Sequence, residues 1–158
     1  MAESGKDGNP PSGRPDWEPR RRARRRALQA LYQREISGDD VDGIIVQFLE
    51  TQDFSGVDEG YFKRLVHGVD EQEGALRDEL QPLLDRPFAQ LDTMERILLL
   101  LGAWHFRHDP EVPFPVVVDE AVDLANRFGS DQTHAYVNAV LDRTARAWKL
   151  PGADPDEG

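Results

Sequence analysis

Between Met94 and Phe106 the chain carries Met94, Ile97, Leu98, Leu99, Leu100, Leu101, Ala103, Trp104 and Phe106, with few polar interruptions. On a helix each residue advances by about 100°, so these positions cover nearly the whole circumference. A helix without a polar face cannot lie on a surface; other elements must enclose it. The apolar run is far too short to cross a bilayer, which takes about 20 such residues. Asp92-Thr93-Met94-Glu95 opens it with an acidic cap and a glutamate three residues on, the pattern of a capping box. Asp109-Pro110 closes it. The chain is therefore expected to pack helices around a helix.

The remaining segments read the same way. Leu28, Leu31, Tyr32 and Ile36 fall at helical spacing before Ser37-Gly38-Asp39-Asp40. Val41, Ile44, Ile45, Phe48 and Leu49 form a second stripe, broken at Phe54-Ser55-Gly56. Asp58 caps a third, long helix with the stripe Phe62, Leu65, Val69, Gln72, Leu76, Leu80, Leu83. Gly68 and Gly74 weaken that helix, and Pro82 lacks a backbone donor, so a kink or break is expected near His67-Gly68. Arg86-Pro87 marks a boundary between two helical halves. Beyond the extended link Val112-Pro113-Phe114-Pro115, the residues Val117, Ala121, Leu124 and Phe128 share a face. Gly129 fits the end of that helix, and Ser130 or Asp131 caps the last one. Val137, Val140, Leu141, Thr144 and Trp148 point inward there, and Pro151 stops it. No convincing strand alternation appears. The expected class is all-α, with six or seven helices. A disordered tail is expected over 1–18, a single domain over 19–150 in halves 19–86 and 87–150, and an acidic tail over 151–158.

Charge is distributed unevenly. The formal net charge is −11, yet residues 1–26 hold eight basic and four acidic side chains. Arg20, Arg21, Arg22, Arg24, Arg25 and Arg26 place six arginines in seven positions at the head of the first helix. Helices favour acidic residues in the first turn, by about 0.3–1 kcal/mol each, so this run inverts the usual preference. Arg24 falls within the apolar stripe of Leu28, Leu31 and Tyr32. Unpaired arginine is almost never buried. The helix is therefore expected to overrun the core, with its first two turns in solvent and its arginines free to hold a polyanion. Guanidinium forks suit phosphate oxygens. Single-stranded RNA also needs flat faces for unstacked bases. Tyr32 and Tyr136 are candidates for that role, with Trp17.

Other chemistry finds little support. The chain has no cysteine, which removes disulfides and thiol catalysis. His105 and His108 lie three apart, but no HExxH pattern accompanies them, so no metal or other cofactor is expected. No phosphate-binding glycine loop and no GxSxG elbow occur. The acidic side chains are scattered, so no enzyme is expected. No apolar leader precedes the arginines, and a cytoplasmic protein without membrane attachment is expected.

The run from Arg20 to Tyr32, with Ala27-Leu28-Gln29-Ala30-Leu31-Tyr32, resembles the N-terminus of the NusB family of transcription antitermination factors. The second half resembles it more strongly. It carries Leu91-Asp92-Thr93-Met94-Glu95-Arg96-Ile97-Leu98-Leu99, Val112-Pro113 and Asp119-Glu120-Ala121-Val122-Asp123-Leu124-Ala125. Phe128-Gly129-Ser130-Asp131 and Tyr136-Val137-Asn138-Ala139-Val140-Leu141-Asp142 follow. The resemblance covers residues 20–150 and implies about seven helices in two packed bundles. It implies binding of single-stranded boxA RNA from nascent ribosomal transcripts, jointly with ribosomal protein NusE. It also implies loading into an RNA polymerase antitermination complex that suppresses premature termination. Carried over, Arg20, Arg21, Arg22, Arg24 and Arg25 become backbone contacts with Tyr32 beside them. Thr133, His134 and Tyr136 become a second RNA-contacting region. Tyr136 stands where phenylalanine is frequent, and Ala135 where some members carry a basic residue. Two other readings stand beside this one. The arginine helix could dock a non-catalytic scaffold on an acidic partner, or the chain could be a helical domain related to RNA cytosine methyltransferases.

Overall fold

The computed structural model describes residues 17–154. The expected disordered tail, as far as residue 16, and the last four residues of the acidic tail lie outside this range. Among the described residues there are six α-helices and no strand. They are α1 (Trp17–Ser37), α2 (Val41–Thr51), α3 (Glu59–Leu80), α4 (Thr93–His108), α5 (Phe114–Phe128) and α6 (Asp131–Ala147). About seven helices were expected. The stretch between α3 and α4, interrupted by Pro82 and Pro87, makes two single 3-10 turns, Gln81–Leu83 and Phe88–Gln90. Helix α1 begins at Trp17, inside the segment expected to be a tail. Pro19 is no obstacle there, because first-turn residues have no intrahelical N–H partner to lose.

Helix α4 occupies the centre. Every residue from Ile97 to Phe106 is buried. α1, α3, α5 and α6 all pack on it, so its apolar circumference is covered from several sides. The capping box forms as its residues suggest: Glu95 N–H donates to Asp92 Oδ1 at 2.8 Å, and Asp92 N–H to Glu95 Oε1 at 3.1 Å. One continuous hydrophobic core runs through all six helices. α1, α2 and α3 pack together on one side of it, and α5 pairs with α6 on the other.

Helix α3 does not kink at Gly68. It runs unbroken for 22 residues. A Cβ at Gly68 would stand 2.4 Å from the Trp104 indole nitrogen, so the glycine is the price of a close α3–α4 approach rather than a hinge. Gly102 does the same on the opposite flank of α4, where a Cβ would meet Leu141 of α6 at 2.7 Å. Gly74 has nothing within 4 Å of its missing Cβ. These two glycines of α3 should therefore respond oppositely to alanine. Gly68→Ala is expected to destabilise by about 1–3 kcal/mol through overpacking. Gly74→Ala should stabilise by about 0.5–1 kcal/mol through helix propensity. Urea unfolding of the two variants measures the difference, and a Gly68→Ala as stable as the parent would remove the close-approach explanation.

Candidate nucleic-acid interface

Helix α1 carries its cations on all sides, and the sides have different fates. Glu18 supplies the missing first-turn acid, with Oε2 3.5 Å from Arg22 Nε and 3.8 Å from Arg21 Nη1. Arg20, Arg22 and Arg26 face the loop between α2 and α3. Arg20 Nε lies 3.5 Å from Asp58 Oδ2, with its guanidinium stacked over Tyr61. Arg22 donates to the Gly56 carbonyl at 3.3 Å and Arg26 to the Asp53 carbonyl at 2.8 Å. The Asp58 N–H completes this fastening by donating to the Pro19 carbonyl at 3.1 Å.

Arg24 departs from the expectation that the first two turns stand in solvent. It is only 8% exposed. Both Nε and Nη2 donate to the Glu120 carboxylate on α5, the latter at 2.8 Å, and Nη1 donates to the Tyr61 hydroxyl at 3.0 Å. The hydroxyl of Tyr61 in turn donates to Asp109 Oδ2 at 2.5 Å and lies 3.1 Å from His105 Nε2. His105 Nδ1 donates to the Leu101 carbonyl at 2.8 Å. A chain of polar groups thus crosses the core from α5 through α1 and α3 to the end of α4. Burial opposes the charge on Arg24, but Glu120 and then Tyr61 outweigh it and raise its pKa. Burial raises the Tyr61 pKa, helped by Asp109. Burial also lowers the pKa of His105 to about 4, so the imidazole is neutral.

Arg21 and Arg25 occupy the third side. Arg21 reaches Asp123 of α5 at 3.5 Å, and its side chain stays 37% exposed. Arg25 makes no ion pair or hydrogen bond among the described residues. At helical spacing Arg21, Arg25, Leu28 and Tyr32 form one stripe. That stripe leads into a groove. Its first hollow, about 270 Å³, is lined by Leu28, Gln29, Tyr32, Met94 and Phe128. A second, about 340 Å³, shares Tyr32, Met94 and Phe128 and adds Asp92, Thr93, Gly129, Ser130 and Thr133. The groove is thus built from the middle of α1, the start of α4, the end of α5 and the start of α6. Tyr32 and Phe128 are each 41% exposed, so two aromatic faces meet solvent there.

The second predicted region is only partly at this groove. Thr133 lines it but is buried and accepts the Ser130 N–H at 3.1 Å in the capping box of α6. His134 is half-buried. Tyr136, also half-buried, donates to Asp85 Oδ1 at 3.1 Å and stacks under Arg86. By spacing Phe128 shares the face of Val117, Ala121 and Leu124, yet its ring forms a groove wall. Its place as the last residue of α5, directly before Gly129, was the available signal.

Solved structures share this fold. T. maritima NusB superposes with a TM-score of 0.73 at 29% identity, covering 81% of this chain and 91% of that one. A structure of antitermination factors NusB and NusE in complex with dsRNA gives 0.74 at 22% identity, over 80% and 96% of the two chains. The class is therefore that of the NusB-like helical proteins. Residues 21–146 match the NusB family model, and the chain belongs to the NusB family. Transcription antitermination protein NusB of Nitrosococcus oceani is 44% identical over 127 residues, 80% of this chain and 85% of that protein. The protein of the same name from Marinobacter nauticus is 38% identical over 157 residues, covering 98% and 99%. Among the described residues no helix is long and apolar enough to cross a membrane.

The buried histidine ties stability to pH. Below pH 6.5 the unfolded chain takes up a proton that folded His105 refuses down to about pH 4. Protonation therefore favours unfolding, and this contribution to stability falls as pH drops through that window. The slope it contributes is at most about 1.4 kcal/mol per pH unit. His105→Gln, which cannot titrate, is expected to flatten the fall between pH 6.5 and 4 in urea unfolding. An unchanged slope would show that His105 does not carry it.

Proposed function

We propose that this protein is a non-catalytic transcription antitermination factor that holds a nascent single strand of boxA RNA along α1 and in the aromatic groove. It acts jointly with ribosomal protein NusE within an RNA polymerase antitermination complex, in the cytoplasm where transcripts are made. The observation that carries the proposal is the continuity of an unpaired cation, Arg25, with a groove walled by two half-exposed aromatic rings. The names of the relatives support it: those from Nitrosococcus oceani and Marinobacter nauticus are transcription antitermination proteins.

Each part of the surface has a task in this reading. Arg21 and Arg25 neutralise phosphates on the approach to the groove, with Arg20 and Arg22 at its flank. Tyr32 and Phe128 stack bases, an interaction worth about 1–3 kcal/mol per base. The positive end of the α6 dipole opens at Ser130 and Thr133 in the second hollow, and favours a phosphate there. His134 and Tyr136 extend the surface along α6. Arg24 and Thr133 position these groups without touching RNA, one by fixing α1 against α5 and the other by capping α6.

Salt titration tests the arrangement. Affinity for a boxA-like strand is expected to fall steeply with salt, each neutralised phosphate adding about −0.7 to the slope of log K against log salt. Arg25→Ala and Arg21→Ala should each make the slope shallower by about 0.7 while leaving the unfolding midpoint nearly unchanged. Gel shifts with boxA and scrambled RNA, each with and without NusE, supply the specificity arm. Equal binding of both RNAs in every lane, or slopes unmoved by these substitutions, would overturn the proposal.

A further inference from the structure

Gln29 lies three residues before Tyr32 on α1, in the hollow that Tyr32 and Phe128 close. Its Oε1 is buried and has no hydrogen-bond partner among the described residues. A buried acceptor left unpaired costs about 1–3 kcal/mol. Two other buried side-chain atoms share that state, Arg20 Nε and Arg26 Nε. Arg20 Nε nevertheless lies 3.5 Å from Asp58 Oδ2, and the Arg26 guanidinium is engaged through Nη2 with the Asp53 carbonyl. Gln29 has no comparable engagement. The rest of the hollow is Leu28, Met94 and the two rings. Apolar walls around one amide suit a flat ligand that is gripped by its faces and recognised at one polar edge.

We infer that Gln29 reads a nucleobase in this groove, and that it selects a base with an amino group beside a ring-nitrogen acceptor, namely adenine or cytosine. The inference rests on the RNA reading above and adds a specificity-determining residue to it. Gln29 lines the hollow, and rotation of its amide opens the buried Oε1 to the exocyclic group, which projects furthest from the base. The amino group of adenine or cytosine donates to Oε1. The amide nitrogen, in the same plane, donates to the neighbouring ring nitrogen. Uracil, and guanine at its O6 edge, bring a carbonyl to the same place. Two acceptors then face one another and neither is satisfied, which is how a site built to hydrogen-bond rejects a mismatched partner.

The test is fluorescence anisotropy of the full chain at low salt with labelled oligo(A), oligo(C) and oligo(U) RNA. The parent protein is expected to bind oligo(A) or oligo(C) about tenfold or more tightly than oligo(U). The preferred one of the two identifies the base. Gln29→Leu should bring the preferred oligomer down to the oligo(U) level, with oligo(U) affinity and its salt dependence unchanged. Gln29→Met, unbranched and of similar length, repeats the measurement if the leucine variant folds poorly. The inference is overturned if the parent binds all three alike, if the substitutions leave the preference intact, or if they weaken all three equally. Failure of the parent protein to bind any RNA, here or with boxA and NusE, would instead overturn the RNA reading itself.

Discussion

A guanidinium enclosed in a helical core has to be matched by charge and by hydrogen bonds, and Arg24 is matched on both counts. Glu120 takes two of its donors and Tyr61 a third. Removing one partner from such a pair typically costs 3–5 kcal/mol, because the other charge stays buried alone. The geometric consequence matters more than the energy. Arg24 sets the rotation of α1 about its own axis against α5 and α3. That rotation decides which arginines meet the α2–α3 loop and which open toward the groove. With Arg24 turned inward, Arg21, Arg25 and Tyr32 share the side that faces Phe128.

This division resolves an apparent conflict in the charge distribution. The body of the protein is acidic, and a dense cationic segment on it would be expected to collapse onto the nearest carboxylates. Much of it does. Yet Arg26 is held by a backbone carbonyl, which fixes position without cancelling charge, and Arg22 by another beside its pair with Glu18. Arg21 and Arg22 keep 37% and 50% of their side chains exposed beside their partners. Exposed pairs of this kind are weak, so their cations exchange partners readily. The head of α1 is both a structural fastening and a cationic surface.

Much of the architecture could be read from local pattern. The enclosure of α4 follows from its all-round apolar circumference, and its capping box from Asp92 and Glu95 three residues apart; the cap of α6 was legible only as Ser130 or Asp131, and Ser130 takes it. What escaped the pattern depended on contacts distant in the chain. Arg24 sits 96 residues from Glu120, and nothing near it announces a counterion. Gly68 looked like a weak point because propensity counts a missing side chain as a loss; only Trp104, 36 positions on, shows why none fits. Phe128 continued an apolar stripe, but a helix end has fewer neighbours to cover it than a helix middle. Gln29 has no signature at all, since an amide among leucines differs from any other surface amide only once its surroundings are known.

The long separation between Arg24 and its counterion also bears on synthesis at the ribosome. Arg24 is added 96 residues before Glu120. At about 5–20 residues per second, that interval is on the order of ten seconds. During it the nascent N-terminal segment lacks the counterion that Arg24 finds in the finished fold. Seating the guanidinium waits for α5, and completing the groove waits for the start of α6 behind it.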